Sequence, residues 1–163
     1  RQAQARVATF RSLIERFRSM IESGRLRVRI VRNRMVVELP TGILFDSASP
    51  ELKEEGLATL NEVASVLREI DGREFQIAGH TDNLAIRTRQ FPDNWALSTA
   101  RAVTVARHMI GQGVPPNRIS AAGHADTQPV ASNDDEAGRA LNRRIEIVLL
   151  PNLDELPDLT SLE

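Results

Sequence analysis

EFQIAGHTD, residues 74–82, and RISAAGHAD, residues 118–126, are two short runs that close on the same pattern, Ala-Gly-His-x-Asp. Each is rich in apolar side chains and stops at a glycine, which predicts strands over 74–79 and 118–123 with a turn leaving each one. Between them, from about Asp93 to Gly111, Ala102, Val103, Ala106, Met109 and Ile110 recur at helical spacing. Val114-Pro115-Pro116-Asn117 then reads as a connection. Two strands joined by a helix belong side by side in one sheet, so the paired motifs should sit at equivalent levels if the strands are parallel.

The pattern extends outward in both directions. Upstream, residues 50–70 read as a helix. Ser49 suits the N-cap, Pro50 the first helical position and Glu51 the first turn. Leu57, Leu60, Ala64 and Leu67 form its stripe, with Val63, Val66 and Ile70 beside it, and Asp71-Gly72 breaks it. Downstream, RIEIVLL (144–150) is the last strand, stopped by Pro151. Before all of this, RLRVRIVR (25–32) alternates apolar residues with Arg, and MVVEL (35–39) returns after a two-residue turn expected at Asn33-Arg34. The reading is an α/β sandwich: a β-α-β-α-β core, one mixed sheet with two helices on one face, preceded by a helix and a strand. Polar segments 83–93 and 124–138 then gather at the loop ends, where α/β domains bind ligands.

Residues 1–23 read as that leading helix. Ala3, Val7, Phe10, Ile14, Phe17 and Ile21 recur at heptad spacing, and Gly24 ends the run. The seam fits the end of a coiled-coil stalk, pairing two copies of the chain, or a helix packed on its own domain. Three units follow: the helix 1–24, a domain over 25–151 and an acidic tail over 152–163.

Of 163 residues, 41% are hydrophobic and 26% charged, with a net charge of −1, which fits a folded domain rather than a disordered chain. No Cys is present, so disulfides and thiolate–metal sites are excluded. No apolar run approaches the roughly 20 residues that span a bilayer. The chain begins on Arg1 without a signal peptide, and reads as a piece of a longer protein. Charge is unevenly placed: residues 1–34 hold ten Arg against Glu15 and Glu22, while the remainder holds 11 basic and 20 acidic residues. A basic arm suits a nucleic acid or simply a solvated helix face. Five Phe and Trp95 make no stacking platform, which disfavours nucleic acid.

The polar residues allow three chemistries. His80, Asp82, His124 and Asp126 could ligate a metal, but no established metal-binding spacing is present, and tight turns explain both motifs equally. Ser98, His80 and Asp82 lack the G-x-S-x-G elbow of a hydrolase. No catalytic constellation assembles, so no enzyme, metal or cofactor is expected. What remains is a binding set. Asp82 ends a strand, Arg101 lies two turns into a helix, and Arg143 opens the last strand. A carboxylate beside guanidinium groups suits a ligand that carries both an ammonium and a carboxylate. The same residues could equally form a structural salt bridge.

LFDSASPEL (44–52), GHTDN (79–83), DNWALSTARA (93–102), RISAAGHADTQPVASN (118–133) and GRALNRRIEI (138–147) together resemble the OmpA/MotB family of peptidoglycan-associated domains, over about residues 35–150. DNWALSTARA and the 11-residue loop 83–93 resemble its MotB branch. The resemblance implies a periplasmic domain that grips the diaminopimelate of the peptidoglycan stem peptide without cutting it. It assigns the ammonium to Asp82 and the carboxylate to Arg101, with Asn94 ordering the loop, Arg143 at the first arginine of N-R-R, and Thr81 and Leu97 beside them. It implies a wall anchor at the outer membrane or, alternatively, the wall-binding domain of a flagellar stator subunit. The sequence departs from the family at Ala48, where a small polar residue is common, and at His124, which inherits no role.

Overall fold

The computed structural model describes residues 2–70 and 72–150. Five strands form one mixed sheet: β1 (Arg27–Val31), β2 (Arg34–Pro40), β3 (Phe75–His80), β4 (Ile119–Gly123) and β5 (Arg144–Leu149). Their order is β1-β2-β5-β3-β4, with β3 and β4 parallel and every other pairing antiparallel. The helices are α1 (Gln2–Glu22), the four-residue α2 (Thr41–Leu44), α3 (Glu54–Leu67), α4 (Asn94–Gly111) and α5 (Glu136–Asn142). The mixed sheet with helices on one face is the expected fold class.

The parallel pairing of β3 and β4 aligns Gly79 with Gly123, so the two Ala-Gly-His-x-Asp motifs do lie at one level. Helix α4 explains both glycines. A Cβ on Gly79 would collide with the carbonyl oxygen of Ser98, and one on Gly123 with the backbone and hydroxyl of Thr99. The strand ends lack side chains there because α4 rests on them.

One apolar cluster fills the space between sheet and helices, drawing Val37, Leu39, Phe75, Ile77, Ile145 and Ile147 from the sheet. Besides Leu44 of the short α2, three longer helices contribute to it. Leu60, Val63 and Leu67 come from α3, and Ala102, Val105 and Met109 from α4. Leu13, Phe17 and Met20 come from α1, so the helical layer has one more member than the two expected. The buried row on α1 runs through Leu13, Phe17 and Met20, while Ile14 and Ile21 of the expected heptad seam are half-buried. The side chains of Ala3, Val7 and Phe10 lie outside the described residues, as does the tail 152–163. Gly24, at φ +77°, closes α1, with Arg25 N–H donating to Met20 and Gly24 N–H to Ile21.

Three local expectations change. The hairpin turn is Arg32-Asn33, one residue earlier than expected, because Val31 pairs with Arg34. Both turn residues have positive φ, 52° and 65°, as a two-residue hairpin turn with the twist of its strands requires. Helix α3 starts at Glu54 rather than near Pro50. Residues 45–53 are held instead as a compact loop, by a bridge between Phe45 and Leu52 and by Lys53 N–H donating to the Leu44 carbonyl. Ser49 caps only a local turn, its Oγ accepting from Glu51 N–H at 3.1 Å. Finally, the polar stretch before β5 contains α5, capped by Asp135, whose carboxylate accepts from Gly138 N–H at 2.7 Å.

Candidate functional site

Four segments meet at the end of the sheet where β3 and β4 finish and β5 begins. They are the loop 45–49, the turn 80–84, the start of α4 and the approach to β5. Each is fixed by its own local chemistry.

The approach to β5 is organised by Asn142, which is fully buried. Its Oδ1 accepts from the N–H groups of Val130 and Ala131 at 2.7 and 3.0 Å, and its Nδ2 donates to the Ala131 carbonyl at 2.9 Å. Arg144, also buried, donates from Nε to Glu146 at 2.9 Å, from Nη1 to the Asn142 carbonyl at 3.0 Å and from Nη2 to the Gln128 carbonyl at 2.8 Å. In the N-R-R run, then, the first and third residues hold the loop, and the middle one, Arg143, is left to face the site.

Arg143 Nη1 donates to Asp82 Oδ2 at 2.7 Å. The other Asp82 oxygen accepts from Leu84 N–H at 3.0 Å, which fixes the carboxylate in the turn leaving β3. The adjacent Thr81 is buried, with its hydroxyl donating to the Asp82 carbonyl at 2.8 Å and its N–H to the Ala125 carbonyl at 2.9 Å. Arg143 Nη2 lies 2.5 Å from Glu136 Oε1 on α5, a contact with no counterpart in the sequence reading. These two carboxylates, Glu136 foremost, raise the Arg143 pKa, and the same contact lowers that of Glu136.

Helix α4 begins at the Asp93 cap, whose carboxylate accepts from Ala96 N–H at 2.9 Å. Asn94 Nδ2 donates to the Leu84 carbonyl at 3.0 Å, tying the 83–93 loop to the helix start. Leu97 and Arg101 follow at helical spacing from Asn94, and both are buried. Arg101 Nε and Nη2 donate to the carbonyls of Ser49 and Asp46, each at 2.9 Å, and its guanidinium lies 5.0 Å from the centre of the Phe45 ring. Burial, and secondly the charge of Arg143, lower the Arg101 pKa to about 10, so it stays cationic at neutral pH. No hydrogen bond to Arg101 Nη1 is found among the described residues.

The structure therefore brings Asp82, Arg101, Asn94, Arg143, Thr81 and Leu97 to one end of the sheet. The Asp82 salt bridge runs to Arg143, while Arg101 is spent on loop 45–49. Thr81 and Leu97 are buried supports with little surface left to offer. The anchoring carbonyls of Asp46 and Ser49 leave no mark in a sequence, since any residue has a carbonyl. The positive φ of 55° at Ala48, between them, reflects the tightness of that loop.

His80 and His124 stack with ring centres 4.9 Å apart. His80 Nε2 lies 3.0 Å from Glu146 Oε1, and its buried Nδ1 has no hydrogen-bond partner among the described residues. Burial alone would raise the Glu146 pKa, but His80 and Arg144 outweigh it and hold that pKa at about 2. The two rings thus face each other, and Asp82 of the candidate metal set is turned to Arg143 and Leu84. No group of three or more His, Asp or Glu suited to a metal occurs among the described residues. Ser98, the hydrolase candidate, is buried against Gly79, its Oγ accepting from Ala125 N–H at 3.1 Å and donating to the Trp95 carbonyl at 3.2 Å.

Motility protein B of Bacillus subtilis is 30% identical over 91% of this chain, which spans 58% of that relative's length. The cell wall anchor of the T6SS from Pseudomonas aeruginosa superposes with a TM-score of 0.79 at 37% identity, covering 85% of this chain and 96% of that one. A putative MotB-like protein from Desulfovibrio vulgaris superposes with a TM-score of 0.85 at 26% identity, covering 91% and 92%. The OmpA family model matches residues 44–143, from the end of α2 to the arginine that meets Asp82. On that match, which takes in Asp82, Asn94, Arg101 and Arg143, the chain belongs to the OmpA family.

Proposed function

We propose that this chain binds peptidoglycan non-covalently, holding the diaminopimelate of a stem peptide by its free ammonium and carboxylate, and so anchors a membrane-associated protein to the cell wall. The observation that carries the reading is the fixed Asp82 carboxylate with Arg143 upon it and the buried cationic Arg101 close enough to feel the Arg143 charge. A carboxylate has about four acceptor positions, so Asp82 retains capacity for an ammonium after its two internal bonds. Arg101 keeps Nη1 for a ligand carboxylate, and the backbone bonds at Nε and Nη2 pre-orient it, which reduces the entropy lost on binding. The proposed role is to hold rather than to cut: Asp82 is engaged by Arg143 and Leu84 N–H, and the Ser98 hydroxyl is tied between Ala125 N–H and the Trp95 carbonyl.

Likeness to a T6SS cell wall anchor supports the anchoring role, and likeness to motility protein B supports the same grip in a flagellar stator. A periplasmic location follows from that role. Attachment at the outer membrane is the primary reading and an inner-membrane stator subunit the alternative. Charge-assisted contacts of about 1.5–3 kcal/mol each, set against the cost of association, give micromolar to millimolar affinity for one domain. A second copy, joined through the part of α1 ahead of Leu13, would raise retention on the wall.

The test is retention on purified sacculi with competition by free diaminopimelic acid. Retention should fall as the competitor rises, and a mono-amidated competitor should be weaker. Retention indifferent to both would refute the zwitterion site.

A further inference from the structure

Arg143 holds two carboxylates that differ in how easily each can leave. Asp82 is buried, and its second oxygen is occupied by Leu84 N–H. Withdrawing it would strand a buried charge and a backbone donor together. Glu136 sits at the first position of the seven-residue α5 with its side chain 65% exposed. Its Oε1 meets Arg143 Nη2 at 2.5 Å, and its Oε2 lies 3.3 Å from Nε of Arg139, itself held by the Asn133 carbonyl. A carboxylate so exposed rehydrates as it leaves, and an exposed ion pair contributes little in water.

A ligand carboxylate needs guanidinium N–H groups. The Nη1 edge of Arg143 belongs to Asp82, and Nε and Nη2 of Arg101 belong to loop carbonyls. Nη1 of Arg101 and Nε of Arg143 have no hydrogen bond among the described residues, and beside that Nε, Nη2 of Arg143 is covered by Glu136, so a two-point grip on Arg143 requires Glu136 to move. We propose that Glu136 is a displaceable internal carboxylate, which covers Nη2 of Arg143 while the site is empty and gives it up to the carboxylate of the ligand. This rests on reading Asp82, Arg101 and Arg143 as a zwitterion site. Glu136 then tempers the preference of the site for a free carboxylate rather than creating it. With it in place two guanidinium groups face two carboxylates, a balance suited to a ligand without net charge. As it swings away, the site gains positive potential just where the ligand brings a carboxylate.

The experiment is calorimetric titration of the whole chain, wild type and Glu136→Gln, with free diaminopimelic acid and with its mono-amide. Glutamine keeps the size and removes the competing charge. At low salt Glu136→Gln should bind the acid about three- to fivefold tighter, the gain expected when an exposed ion pair no longer has to be broken. Its acid-to-amide preference should also rise, and the difference between the proteins should shrink in high salt. Glu136→Ala should behave like Glu136→Gln, with both melting temperatures close to wild type. Binding by wild type with equal or weaker binding by Glu136→Gln overturns the displacement role and leaves the zwitterion reading standing, with Glu136 as a support for Arg143. No binding of either compound by wild type overturns the zwitterion reading, and the role of Glu136 with it.

Discussion

Arg143 and Asp82 are joined at 2.7 Å across the mouth of two antiparallel strands, one residue before β5 and two after β3. The register makes this contact possible, because His80 pairs with Arg144 and the chains continue past each other. Asp82→Ala should therefore act twice. Retention on sacculi should fall about tenfold or more, from the lost charge-assisted contact with an ammonium. Stability should also fall, by about 1–3 kcal/mol, because Leu84 N–H and Arg143 each lose an acceptor in a partly closed site. Thermal melting and pull-down on one preparation check both, and unchanged retention would remove Asp82 from the site.

Arg101 separates charge from shape. Its Nε and Nη2 reach two carbonyls at once, which a lysine ammonium on a single point cannot reproduce. Arg101→Lys keeps the charge but frees the 46–49 loop. It should lose nearly as much wall binding as Arg101→Ala, about tenfold, and amide exchange in residues 46–49 should quicken in both. Near-normal binding by Arg101→Lys would mean that charge alone suffices.

The strands, α4 and the site end of the sheet are all legible in the sequence, because period-2 and period-3.6 patterns are local signals. What escaped is non-local. Ser49-Pro50 carries the chemistry of a helix start, yet the Phe45–Leu52 bridge closes the chain into a compact loop until Lys53. The Arg32-Asn33 turn is set by pairing register, which no tripeptide encodes. Of the site, Asp82, Arg101 and Arg143 were visible by residue type and resemblance. Their pairing was not, since a guanidinium reaches equally well for a side chain or a carbonyl. Glu136 was hidden by distance, seven residues ahead of Arg143, on a helix too short to show a stripe.

Acid should expose the network behind the site in two stages. The His124 pKa is lowered from 6.5, first by burial and then by the charges of His80 and Arg144, with Glu146 opposing. The folded state thus prefers a neutral ring, and stability declines as pH falls below 6.5. Glu146 has a folded pKa of about 2 against 4.5 for the free group. Its contribution is fully present above 4.5 and lost as pH falls from there toward 2. Melting temperature followed from neutral pH to pH 3 should show both declines. Glu146→Gln should lower the neutral value, because His80 and Arg144 lose a charged acceptor, and should flatten the curve below pH 4.5. An equally steep acid limb in the variant would assign that limb to other carboxylates.

Helix α1 supplies the last prediction. Phe17 is fully buried within its own chain, in the same cluster as Leu60, Val63 and Leu67 of α3. Around it, Arg16 meets Glu69 at 2.5 Å and Arg25 meets Glu62 at 3.3 Å, exposed pairs that align the helix more than they hold it. The binding energy of α1 is therefore apolar, and Phe17→Ala should cost about 3–5 kcal/mol through lost burial and the cavity left behind. A heptad seam pairing two copies would spend Phe17 differently. In that case the variant would lower the mass in solution, while the melting temperature of the domain, measured at a concentration too low for pairing, would not change. Docking within the chain requires the reverse: a lower melting temperature at every concentration and a mass equal to that of wild type. Sedimentation and melting at two concentrations tell these apart. A melting temperature unmoved by Phe17→Ala would detach α1 from the core and return the helix to the role of a stalk.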